Sequence, residues 1–125
     1  MLVNYALVKR TVVYNVAIVN DENQEAVQML IDMGGILIPE GQPVGVGDIY
    51  ENGQFYREDD IRGLVPMSEW EVWEYNKNLA IYIVDGNINF SGLLEEDKEN
   101  VKKVLEYFVK VGKITQEQLD ELLMK

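Results

Sequence analysis

Apolar positions recur along the chain with two different periods. Leu2 to Val8 and Thr11 to Val19 are rich in Val, Ile, Thr and Tyr, with Lys9-Arg10 as the polar break between them. β-Branched and aromatic runs interrupted so briefly predict an antiparallel strand pair joined by a tight turn. Asn20 and Asp21 then supply a helix start, Asp21 and Gln24 stand at capping-box spacing, and Ala26, Val27, Leu30 and Ile31 follow at helical spacing. Gly34-Gly35 ends that helix, and Ile36-Leu37-Ile38 reads as a short buried strand stopped by Pro39. A Gly/Pro-rich loop over 40–47 leads to Asp48–Glu51, the pair Asn52-Gly53, and Gln54–Arg57. An Asn-Gly pair between apolar runs predicts a type I′ hairpin.

The middle is ambiguous. Glu58-Asp59-Asp60 and Arg62-Gly63 read as connector, and the stretch from Pro66 through Trp73 is compatible with a short helix or with extended chain. Leu79–Val84, Asp85-Gly86 and Asn87–Phe90 read as a second hairpin. Beyond it, Glu95 to Val111 places Val101, Val104, Leu105, Phe108 and Val109 on one helical face. Acids at its start and lysines at its end suit the helix dipole, and Gly112 stops it. Thr115 and Gln118 form a capping box for a second helix, stapled by Ile114 and Leu119. The pattern therefore predicts an α+β fold. Residues 1–57 form an antiparallel β-hairpin/helix/β-hairpin domain, 58–92 an acidic Trp-containing middle with a hairpin, and 93–125 a helical hairpin.

Composition narrows the chemistry. The chain of 125 residues is 47% hydrophobic and 26% charged, as a globular domain is. Histidine and cysteine are absent, which removes Ser-His-Asp and Cys-His nucleophiles, histidine bases, the usual zinc sites and disulfides. A net charge of -11 opposes binding to phosphate backbones and to anionic membranes, and no apolar run is long enough for a membrane span. In the first ten residues the charges follow the apolar stretch, the reverse of a signal peptide, so synthesis and retention in the cytoplasm are expected.

Four patterns suggest more specific chemistry. Gly45-Val46-Gly47 begins like a phosphate loop, but Tyr50 stands where the third glycine belongs and no Walker lysine follows. Asp85, Asn87, Asn89 and Glu96 occupy positions 1, 3, 5 and 12 of a calcium loop, but position 6 is Phe90 instead of the required glycine, position 8 is Gly92, and no helix is expected before Asp85. Glu69, Glu71 and Glu74 beside Trp70 and Trp73 have the residue types of a glycosidase, yet either secondary structure points some of these carboxylates apart. The acidic excess also fits a DNA mimic, although lysines interrupt the acids of the C-terminal helix. No cofactor, metal or catalytic residue is therefore assigned, and an enzyme is the least favoured class. Trp70, Trp73, Tyr75 and Tyr82 are the candidate interface residues, with a core role as the competing explanation.

A resemblance adds direction. Tyr5-Ala6-Leu7-Val8, a second strand of the form Val-x-Asn-Val-x-x-Val-Asn-Asp, a short helix, a strand ending in Pro39, Gly45-Val46-Gly47-Asp48-Ile49-Tyr50 and Asn52-Gly53-Gln54-Phe55 together resemble a small module of tailed-phage and prophage structural proteins from the fibre and baseplate region. The phrase Tyr107 to Gln118, with its Gly-Lys-Ile-Thr turn, resembles the short XkdX-like proteins of phage-like elements. The resemblance implies a non-enzymatic tail, baseplate or fibre component located in the virion and made in the bacterial host cytoplasm. Such a protein acts by contact with other phage tail or fibre proteins, as a homo-oligomer or assembly component, without direct nucleic-acid or membrane binding. Sheet edges of the N-terminal domain and the aromatics between Trp70 and Tyr82 are the expected attachment surfaces. The alternatives are a cytoplasmic tail-fibre assembly chaperone and an acidic DNA-mimic inhibitor of a host nucleic-acid enzyme.

Overall fold

The computed structural model describes residues 1–125, and the chain divides into two compact units. Met1–Asp59 with Gly63–Glu69 forms the first, and Asp60–Arg62 with Trp70–Lys125 the second. The architecture is the expected α+β: a six-stranded antiparallel sheet and four α-helices.

In the first unit, β1 (Leu2–Lys9) and β2 (Val12–Asn20) pair along their whole length, with a bulge between Leu7 and Val8. Their turn is Arg10-Thr11, and both residues adopt positive φ (52° and 69°), the type I′ geometry, without the Asn-Gly chemistry that usually supplies it. Helix α1 (Gln24–Asp32) is capped by the Asn23 side chain, which accepts from the Ala26 amide at 3.1 Å. The expected Asp21–Gln24 box gives way to this cap. After Gly34 (φ 85°) the chain enters β3 (Gly35–Leu37), which pairs with the other edge of β1 and, as an edge strand, leaves Leu37 exposed instead of buried as expected. Gly35 lies opposite Leu7, and a Cβ there would stand 2.6 Å from the Leu30 carbonyl oxygen. Helix α1 therefore covers the sheet face that carries Tyr5 and Leu7. The Asn52-Gly53 hairpin forms as expected between β4 (Ile49–Glu51) and β5 (Gln54–Asp59), with φ of 52° and 78° and the Tyr50 and Phe55 rings 4.8 Å apart. Strand β6 (Gly63–Pro66) completes the order β3-β1-β2-β4-β5-β6. Buried apolar residues of this unit are Tyr5, Ala6, Leu7, Val13, Ile38, Phe55, Val65 and Met67.

The second unit departs from expectation at its start. Residues 79–90 do not form a hairpin: Trp70–Val84 is a continuous helix, α2, entered through a single 3-10 turn at Met67–Glu69. The segment 58–92 is thus not a separate hairpin-bearing middle, since it divides between the sheet of the first unit and α2 of the second. The physical reason lies in Asp85-Gly86. Gly86 has φ 80°, its amide donates to Ile83 O (3.1 Å) and the Asn87 amide to Tyr82 O (2.9 Å), which is a Schellman cap. The left-handed glycine read as a hairpin turn instead terminates a helix. Helix α3 (Glu95–Lys110) buries Val101, Val104, Leu105 and Phe108 and ends in the same way at Gly112. In α4 (Gln116–Leu123) the capping box is complete: the Gln118 amide donates to Thr115 Oγ1 at 3.1 Å, and Gln118 Oε1 accepts from the Thr115 amide at 2.8 Å. Helix α2 packs on α3 and α3 on α4, burying Trp73, Ala80 and Ile83 together with Ile114 and Leu119.

Candidate functional site

Both glycine amides of the Gly45–Gly47 loop are spent internally. Asp48, only 4% exposed, accepts from the Gly45 amide at 2.7 Å and receives Arg57 through Nε (2.8 Å) and Nη2 (2.9 Å). Arg57 Nη2 also reaches Pro43 O at 2.9 Å, and the Gly47 amide donates to Val13 O at 2.8 Å. A carboxylate thus sits where a bound phosphate would need the loop amides, and the bidentate pair fastens the Gly/Pro loop to the sheet.

Contrary to expectation a helix, α2, does precede Asp85; Asp85, Asn87 and Asn89 belong to its cap and the loop after it, and Glu96 to the first turn of α3. No group of three or more Asp or Glu side chains is arranged to hold a metal. Glu69, Glu71 and Glu74 are exposed whereas Trp73 is buried, so the acids and that ring do not share a cleft. Elsewhere in the second unit a cleft of about 300 Å³ does contain two carboxylates, Asp60 and Asp85, over Ile81, Val84 and Phe108. Lys77 Nζ stands 2.6 Å from Asp60 Oδ1 and Lys113 Nζ 3.8 Å from Oδ2, so Asp60 serves as counter-ion to two ammonium groups. No helix is long and apolar enough to cross a membrane.

The four aromatic candidates separate by helical phase. Trp73 turns inward: it meets Tyr107 edge-on at 5.5 Å, and the Arg62 guanidinium lies 5.5 Å from its ring centroid. Its Nε1 and the Oδ1 of buried Asn76 have no hydrogen-bond partner. Trp70 is half-buried at the helix start. Tyr75 and Tyr82 are about half exposed, and with exposed Val72 and half-buried Leu79 they follow i, i+3, i+7, i+10, an apolar and aromatic stripe along α2. The stripe borders a groove of about 570 Å³ lined by Tyr75, Leu79, Ile88, Leu93 and Leu94. Tyr75 Oη donates to Asp97 Oδ2 at 2.9 Å across it. That hydrogen bond to a carboxylate, with some desolvation and the charges of Asp97 and Glu96, raises the Tyr75 pKa above its ordinary value. Val72, Leu79 and Leu94 escape a reading of the sequence that does not recognise 70–84 as a helix; their spacing is the signal that would have found them.

The first unit also exposes apolar side chains: Leu2, Ile18, Met29, Met33 and Leu37 are each more than half exposed. Comparison with protein-family models, with curated proteins and with solved structures gives no match to this chain.

Proposed function

We propose that this protein is a non-enzymatic structural or accessory component of a phage tail or phage-tail-like particle, located in the virion at the tail, baseplate or fibre region and working by protein–protein contact. The observation that carries the contact-making part is the largely exposed Val72–Tyr75–Leu79–Tyr82 stripe beside a groove of mixed apolar and polar lining. Tyrosines on a rigid helix supply large contact area at low entropic cost and are enriched at the energetic centres of interfaces. The particle assignment is supported by the resemblance of residues 1–57 and 107–118 to phage structural modules. Quantitative mass spectrometry of purified particles from the source tests it. A fixed stoichiometric ratio of this chain to the tail proteins is the expected result. Abundance in the lysate with absence from intact particles overturns the structural role and favours an assembly chaperone.

A further inference from the structure

Strand β2 has an unfilled edge. β1 pairs with all of it except the bulged Tyr14 on one side, whereas on the other β4 meets it only at Val12, with backbone bonds at Thr11 and Val13. The Asp21 amide donates to Met1 O at 2.9 Å, which fixes the phase of the ladder. Counting back by twos, Val19, Ala17 and Asn15 face β1, so the backbone groups of Val16 and Ile18 are directed outward. The Val16 amide is occupied only by its neighbour's side chain, Asn15 Oδ1, at 2.9 Å. Tyr14, Asn15, Ile18 and Asn20 are exposed, and no strand of the first unit pairs with 14–20 on this side. Native sheets guard such edges with charges, prolines, short strands or bulges, and the one bulge of β2, at Tyr14, lies at the end of the open stretch and leaves 15–20 regular. β2 is nine residues of Val-Val-Tyr-Asn-Val-Ala-Ile-Val-Asn, without a charge or a proline.

We infer that the edge of β2 pairs antiparallel with β2 of a second copy, about a two-fold axis through Ala17. The open stretch fits that register. Gly47 and Asp48, just before β4, close it at Val13, and the chain turns away after Asn20, so residues 14–20 fill the slot when Tyr14 lies opposite Asn20 of the second copy. Val16 and Ile18 then exchange backbone hydrogen bonds with Ile18 and Val16 of the other copy, and their side chains form apolar cross-strand pairs on one face. Charge favours the same arrangement. Each hairpin carries Lys9 and Arg10 at its turn and Asp21, Glu22 and Glu25 at its open end. Antiparallel pairing sets the basic end of each copy alongside the acidic end of the other, whereas parallel pairing sets like beside like. The uncharged contact stretch lets two chains of net charge -11 approach. This inference is independent of the particle assignment, since a chain absent from particles can still dimerise and a monomer can still be a particle component.

Sedimentation velocity on the full chain from micromolar to millimolar concentration tests it. The expected result is a concentration-dependent species of twice the chain mass. Ile18→Lys and Ile18→Pro each weaken it by roughly tenfold or more, through lost cross-strand packing or a lost outward amide. Far-UV circular dichroism checks that each variant is folded, and the lysine variant at an exposed site serves if the proline variant is not. Because the chain has no cysteine, Ala17→Cys reads the register directly. Non-hydrogen-bonded antiparallel pairs hold their Cα atoms about 4.5 Å apart, within disulfide reach, so oxidation yields a covalent dimer. Val3→Cys, on β1, does not cross-link. A chain monomeric at every concentration, a dimer indifferent to both Ile18 substitutions, or a dimer that Ala17→Cys leaves uncross-linked overturns the inference.

Discussion

The Arg10-Thr11 turn stores backbone strain that can be released. Both residues lie in the left-handed region (φ 52° and 69°), and Thr11 is β-branched, the side-chain type least suited to it. That conformation costs an L-residue about 1–2 kcal/mol. Glycine at 11 removes the steric penalty but adds about 0.5–1 kcal/mol of unfolded-state entropy to be lost on folding. The net gain for Thr11→Gly is therefore ~0.5–1 kcal/mol. Asparagine at 10 tolerates positive φ better than arginine and adds a few tenths more. Both side chains are exposed, so the substitutions forfeit no packing. The double variant R10N/T11G should gain ~1 kcal/mol, or ~4 °C in melting temperature for a domain of this size. The second hairpin supplies the reciprocal experiment. Asn52-Gly53 occupies the same turn type at φ of 52° and 78°, so N52R/G53T should lose about what R10N/T11G gains. Urea unfolding followed by far-UV circular dichroism, with unchanged m-values, measures both. Two shifts of the same sign, or no gain from the first variant, refutes the claim that the turn is strained.

Three further outcomes follow from local geometry. Arg57→Ala leaves the Asp48 carboxylate, 5% exposed, with only the Gly45 amide; the partial exposure of the guanidinium (31%) discounts the ~3–5 kcal/mol typical of a broken buried pair to ~2–3 kcal/mol, read from the urea midpoint. Less than ~1 kcal/mol would mean that the pair does not hold the loop. Gly35→Ala drives a methyl group to 2.6 Å from the backbone oxygen of Leu30 and should cost ~1–3 kcal/mol, whereas Gly53→Ala meets no atom and tests conformational strain alone. In an ultraviolet titration of phenolate formation, Tyr75 should ionise above the ordinary value of about 10, Tyr75→Phe should remove that step, and Asp97→Asn should lower it. Because the folded value is raised, the contact stabilises fully below pH about 10 and is lost as pH rises through the folded pKa.

What could be read from the residues alone depended on how local the determining physics is. Asn52-Gly53 specifies its turn within two positions, and Thr115–Gln118 specifies its cap within four, so both were legible. Asp85-Gly86 was not, because a left-handed glycine serves a hairpin turn and a Schellman cap equally well. The deciding information was the buried row Trp73, Asn76, Ala80 and Ile83, whose helical period is hidden by a polar member and by the strand-like composition of Leu79–Val84. The same phase separates Trp73, which faces the helical core, from Tyr75 and Tyr82, which face solvent; composition treats the three alike. The open edge of β2 is further from view, because it exists only through the short register by which β4 meets Val12. Beside that pairing, Asp48 is held by Arg57, and its backbone oxygen accepts from the Val13 amide. An uncharged, proline-free strand is compatible with a central position in a sheet, and only its one-sided pairing makes it a surface that calls for a partner.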